Sequence, residues 1–294
     1  MITALALAAA LAYGVADFLG GAVTRRSSAL RALVWCVPTG LLLTLAGALL
    51  TGGGGPAAVP MAWGLAAGLA GGTGLITFYR ALARGPMSVV APVSALTSAL
   101  IPIAAGLLRG ERLDAAVLAG VLLCLVAIGL VSMENDGTAE RAAPAAGLRR
   151  LADSGPVMAA VSGACFGIFF TVIKEAGDGA GLWPLVGARI GTLSVVLTAL
   201  LALARLRPDA IGPPVPGRAL VGLALLSGAL DAGANVLYFL AVQQGLLSLA
   251  AVLTSLYPAV TVLMARIAYS ERLRAVQRVG LAVAAAGVAL VTVG

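Results

Sequence analysis

Ten runs of about 20 mostly apolar residues fill this 294-residue chain almost end to end. They cover 2–22, 30–50, 61–83, 86–108, 113–133, 156–174, 182–204, 218–242, 246–268 and 273–293. A run of that length crosses the hydrocarbon of a bilayer as an α-helix. Inside hydrocarbon the backbone must satisfy its own polar groups, so runs of this kind fold as a bundle of helices. The chain is 61% hydrophobic and 11% charged, with a mean hydropathy of +1.05. An ordinary soluble domain carries roughly a quarter charged residues. The expected class is therefore an all-α integral membrane protein with ten transmembrane helices.

The same composition excludes most chemistry. Histidine is absent, which removes His-based triads and zinc sites of the His-Glu-x-x-His type. Cys36, Cys124 and Cys165 each sit inside an apolar run and form no Cys-x-x-Cys pair; they read as small buried hydrophobes. No phosphate-binding Gly-x-x-x-x-Gly-Lys-Ser/Thr run is present. No enzyme activity, metal or cofactor is expected. The net charge of +7 is spread over short loops rather than gathered in a patch, so membrane orientation explains it and nucleic acid does not. No basic segment precedes the first run, which reads as a retained helix rather than a cleaved signal.

An internal repeat organises the ten runs. Ala81 to Val131 lies over Ala241 to Val291 without a gap, and 14 of the 51 pairs are identical. Among them are Ala81/Ala241, Gly85/Gly245, Ser88/Ser248, Ala91/Ala251, Gly120/Gly280 and an intact Glu111-Arg112-Leu113 over Glu271-Arg272-Leu273. The mixed-charge stretch Glu134–Asp153 reads as the linker between copies. The expected organisation is a first five-helix repeat (1–133), a polar linker (134–155) and a second five-helix repeat (156–294). Five is odd, so the second copy enters the bilayer from the opposite side and the repeats are inverted. Gly64, Gly68 and Gly72 recur at four-residue spacing, as do Gly163/Gly167 and Gly187/Gly191; this is the spacing of close helix packing. Pro92, Pro102 and Pro258 fall inside the fourth and ninth runs, where they free backbone carbonyls.

The ten-span plan, the duplication and the Glu-Arg-Leu elements opening runs five and ten resemble the EamA family of the drug/metabolite transporter superfamily. Ala12-Tyr13-Gly14-Val15-Ala16-Asp17-Phe18-Leu19-Gly20-Gly21 looks like the first helix of one bacterial subgroup of it. The resemblance covers essentially the whole chain. It implies ten helices around a central cavity and solute export by alternating access. It also implies cytoplasmic termini and a basic loop between runs two and three, whereas that loop is uncharged here. Loops after odd-numbered runs hold fifteen arginines, and those after even-numbered runs hold Arg109, Arg112 and Lys174. The positive-inside rule then puts both termini outside.

Ionisable groups in hydrocarbon cost roughly 2.5–3.5 kcal/mol on insertion scales and mark function or pairing. Asp17 lies well inside the first run, with Tyr13 one turn before it on the same face. It is placed to exchange a proton for a cationic substrate, or to pair structurally with an arginine. Asp231, Asn235 and Tyr238 form a stripe on one face of run eight and either line a cavity or bond between helices. Arg189, with Thr192 near it, pairs with Asp17 or Asp231, contacts substrate, or snorkels to the interface. Thr73, Thr77 and Arg80 share a face of run three. Ser94, Thr97 and Ser98 overlie Thr254, Tyr257 and Pro258 under the repeat, which suits a cavity floor or simple bonding to the preceding turn. Glu111 and Glu271 read as helix-start acids, and Trp63 and Trp183 as interface anchors.

The substrate- or ion-binding candidates are thus Asp17, Tyr13, Arg189, Asp231, Asn235, Tyr238, Tyr257, Thr77 and Ser94. The function expected is secondary active export of a small metabolite, amino acid or drug-like solute from the plasma (inner) membrane of a bacterium. Expected partners are the solute, protons and the lipid bilayer, with the chain acting as monomer or homodimer. A flippase of a lipid-linked intermediate and a non-transporting scaffold or sensor are the alternatives.

Overall fold

The computed structural model describes residues 1–52, 54–84, 87–111, 114–132, 155–177, 179–269 and 275–293. Residues 133–154, which include nearly all of the expected linker, lie outside the described residues. So do Arg112, Leu113 and the triplet Glu271-Arg272-Leu273.

The described chain is helical. The first half contributes α1 (Ile2–Thr24), α2 (Ala29–Thr51), α3 (Ala58–Arg84), α4 (Met87–Leu108) and α5 (Ala115–Ser132). The second contributes α6 (Gly155–Lys174), α7 (Trp183–Leu206), α8 (Gly217–Gln243), α9 (Leu247–Thr254), α10 (Tyr257–Tyr269) and α11 (Ala275–Val293), with a short 3-10 turn at Pro208–Ile211. Among the described residues, seven stretches are long and apolar enough to cross a membrane, and three shorter apolar helices accompany them. The molecule is a multi-pass membrane protein. Ends are set by local chemistry: Ser28 accepts from the Arg31 N–H at the start of α2, and Gly52, at φ +61°, turns the chain out of it.

The ninth apolar run, expected as one helix over 246–268, is two. The first stops at Thr254 and the second begins at Tyr257. Pro258 has no N–H to give the Thr254 carbonyl, and its ring crowds that carbonyl. Ser255 and Leu256 bridge the gap with bonds to Ala251 and Leu253.

The most extensive interfaces join a helix of the first half to one of the second. They are α3 with α7, α5 with α11, α1 with α8, α3 with α6, and α4 with α6. The glycine rows explain the closest of these. A Cβ on Gly64 would stand 1.9 Å from the Pro184 carbonyl oxygen, and one on Gly68 would stand 2.0 Å from that of Ala188. In return, Gly187 meets the Met61 carbonyl and Gly191 that of Leu65. The two rows predicted separately on α3 and α7 therefore face each other, backbone to backbone. Where lipid removes the hydrophobic drive, such dispersion contact holds helices together. Thr192 adds a hydrogen bond to the Gly68 carbonyl at 3.1 Å.

Candidate functional site

A cavity lies where α1, α3, α6, α7, α8 and the start of α10 converge. The space open to the centre of a water-sized sphere is about 60 Å³, several times the ~10–15 Å³ that one water requires. Helix α1 brings Tyr13 and Asp17, one turn apart on the same face. Helix α8 brings Asp231 and Asn235, also one turn apart. Arg189 and Thr192 enter from α7, and Tyr257 from the break after α9. Six of the nine residues singled out from sequence therefore line one space.

The charges are not evenly matched. Arg189 donates through Nη1 to Asp231 Oδ2 at 2.5 Å. Asn235, one turn on, donates to the same aspartate, with Nδ2 2.7 Å from the Asp231 carbonyl oxygen and 3.5 Å from Oδ1. Room for the guanidinium comes from Gly40, where a Cβ would sit 3.3 Å from Arg189 Cζ and Nη1. Asp17 has no ion pair or hydrogen bond among the described residues. Arg189 Nη2 is buried without a hydrogen-bond partner among the described residues. Tyr257 Oη is buried too, with the Ser94 hydroxyl beside it; that hydroxyl lies 2.9 Å from Ser162 Oγ and keeps a lone pair open toward the phenol.

Aromatic rings form much of the rest of the wall. Phe166, Phe169 and Phe170 line it from α6. Tyr13 stands 6.2 Å from both Phe170 and Tyr257, centroid to centroid, and Phe169 lies 5.6 Å from Phe170. The three phenylalanines were not singled out from sequence, since a phenylalanine in an apolar run fits lipid, core and cavity equally.

A smaller cavity adjoins the first and shares Asp17, Leu75, Arg189 and Asp231 with it. Tyr79 and Ser227 close it, 3.2 Å apart, and Ser227 donates to the Ala16 carbonyl at 2.8 Å. That carbonyl belongs to the residue before Asp17, so the bond fixes α1 at the depth of the carboxylate.

Three candidates lie elsewhere. Tyr238 is fully buried behind the wall, its hydroxyl donating to the Phe170 carbonyl at 3.3 Å. Thr77 donates to the Thr73 carbonyl at 2.8 Å, within its own helix. Ser94 and Ser162 join α4 to α6. The Glu111 carboxylate lies outside the cavity. It accepts from the Leu247 and Ser248 N–H groups at 2.8 and 3.2 Å and from Ser248 Oγ at 2.7 Å, with Lys174 3.4 Å away. It satisfies the otherwise open start of α9.

No curated protein matches the chain. Several solved structures resemble it; one, a crystal structure, does so with a TM-score of 0.70, over 99% of this chain and 96% of the other, at 20% identity. At that identity the likeness speaks for the fold alone. The EamA-like transporter family matches residues 1–133 and 153–293, nearly all of the sequence apart from the polar stretch between. The chain belongs to the EamA-like transporter family, a family of membrane transporters within the drug/metabolite transporter superfamily.

Proposed function

We propose that the protein is a secondary transporter that exports a small metabolite, amino acid or drug-like solute by alternating access, exchanging it for protons at Asp17. The cavity is the solute site. Asp231 and Arg189 form its fixed polar wall, and Asp17 is the group that exchanges partners. The observation that carries this reading is the Asp17 carboxylate, which has no ion pair or hydrogen bond among the described residues, facing an ion pair in a cavity built by both halves. A carboxylate held in that setting is costly unless something occupies it in turn.

Alternating access follows from ten spans arranged as two inverted repeats. At the offset of 160 residues Gly71 corresponds to Asp231, and Leu75 to Asn235. All four line the same cavity. The interfaces also occur in exchanged pairs: α1 packs on α8 as α6 packs on α3, and α4 packs on α6 as α9 and α10 pack on α1. Two halves related in this way can swap conformations and turn a shared site from one face to the other. The charge count adds that both termini lie outside.

The test is solute flux in liposomes driven by a pH gradient. Wild-type protein accumulates or expels solute against its gradient. Asp17→Asn loses that uphill movement while keeping its fold in detergent. Undiminished pH-driven flux in Asp17→Asn rules out proton coupling at this carboxylate.

A further inference from the structure

The lining of the cavity selects among solutes by charge. With every group ionised, Arg189 and Asp231 cancel at 2.5 Å and Asp17 leaves one negative charge in excess. An anion entering this space meets no net positive charge, because the guanidinium is already engaged. A zwitterion satisfies Asp17 but adds its own carboxylate to a space that already holds two. A monocation brings the cavity to neutrality. In a poorly solvated space these differences weigh far more than in water.

The rings point the same way. Tyr13, Phe166, Phe169, Phe170 and Tyr257 line one space with Asp17. Aromatic faces attract cations and repel anions. One buried polar atom adds to this. Arg189 Nη2 has no hydrogen-bond partner among the described residues, and its residue is 6% exposed. An N–H left open in this way calls for an acceptor atom on the occupant.

We infer that the cavity takes a monovalent organic cation: a protonated amine on an apolar or aryl body, with an uncharged hydrogen-bond acceptor beside the amine. The ammonium pairs with Asp17, the body lies among the rings, and the acceptor meets Arg189 Nη2. This assignment rests on the cavity being the solute site proposed above. It separates this chain from a carrier of anionic metabolites, and it ranks free amino acids below their amides.

The experiment is equilibrium binding to the purified full chain in detergent at pH 7, by calorimetry. Four compounds of one skeleton are compared: phenethylamine, phenylalaninamide, phenylalanine and 3-phenylpropionate. Phenylalaninamide binds tightest, phenethylamine about threefold weaker and phenylalanine at least tenfold weaker than the amide, with no measurable binding of 3-phenylpropionate. Asp17→Asn lowers amide affinity at least tenfold, and Asp17→Glu retains the order. The inference is overturned if phenylalanine or 3-phenylpropionate binds as tightly as the amide, or if none of the four binds. Liposome flux separates this result from the proposed function. Amide binding without transport sinks the transporter reading and leaves the charge selection standing. Transport of 3-phenylpropionate without cation binding does the reverse.

Discussion

Arg189 holds Asp231 at 2.5 Å across the cavity, while Asp17 in the same wall has no such partner among the described residues. The two aspartates should therefore respond differently to the same substitution. Removing one member of a buried pair leaves the other charge uncompensated, at a cost of about 3–5 kcal/mol. Removing Asp17 uncovers nothing. Asp231→Asn is expected to lower the thermal unfolding temperature in detergent by many degrees. Asp17→Asn should leave it unchanged or raise it slightly. Equal shifts for the two variants would contradict the pairing.

Glu111 supplies a pH-dependent contact outside the membrane-spanning helices. Burial pushes its carboxyl upward. Hydrogen bonds from Ser248 Oγ and from the Leu247 and Ser248 N–H groups, with the Lys174 ammonium, outweigh that and hold it below the ordinary 4.5. A carboxyl lowered by folding adds stability that is fully present above 4.5 and is lost as pH falls through its folded value. Glu111→Gln weakens charge-assisted bonds worth about 1.5–3 kcal/mol. The gap in unfolding temperature between wild type and variant should be widest near neutral pH and close as pH falls below 4.5. A gap that widens in acid would show that the carboxylate does not stabilise α9.

The crossing of α3 and α7 depends on hydrogen in place of methyl. A Cβ at Gly68 would stand 2.0 Å from a backbone oxygen, which cannot move aside as a side chain can. Gly68→Ala should separate the helices and sharply reduce the yield of folded protein. Gly222, in α8, has open space at the same point. There alanine removes only the helix penalty of glycine, about 0.5–1 kcal/mol, so Gly222→Ala should be neutral or stabilising. Size-exclusion profiles of both variants in detergent make the comparison.

The helices were legible because an apolar run long enough to span a bilayer has few other folds. Helix ends in the structure lie within about three residues of the sequence boundaries. The break in the ninth run was signalled only by Pro258, and proline allows a kink as readily as a stop. The glycine rows announced close packing but not each other, since spacing along one helix carries no information about its neighbour. In the cavity, Asp231 and Asn235 stood out because polar groups four residues apart in hydrocarbon share a face. Tyr238 continued that stripe by count alone; in space its hydroxyl turns behind the wall to Phe170. Thr77 and Ser94 show the ambiguity of hydroxyls, which a helix carbonyl or a second serine satisfies as well as a solute does. The phenylalanines of α6 stayed hidden because their side chains carry no polar mark of a cavity.

The proposed alternating access makes the most direct demand on the molecule: one residue must face both sides of the membrane in turn. Leu75 lines the cavity and stands 160 residues before Asn235, the offset of the sequence repeat. The measurement is labelling of Leu75→Cys by a membrane-impermeant maleimide in sealed vesicles of either orientation, with Cys36, Cys124 and Cys165 replaced. The account predicts labelling from both faces, slowed from both by bound solute. Labelling from one face alone, whatever solute or pH gradient is applied, would contradict it.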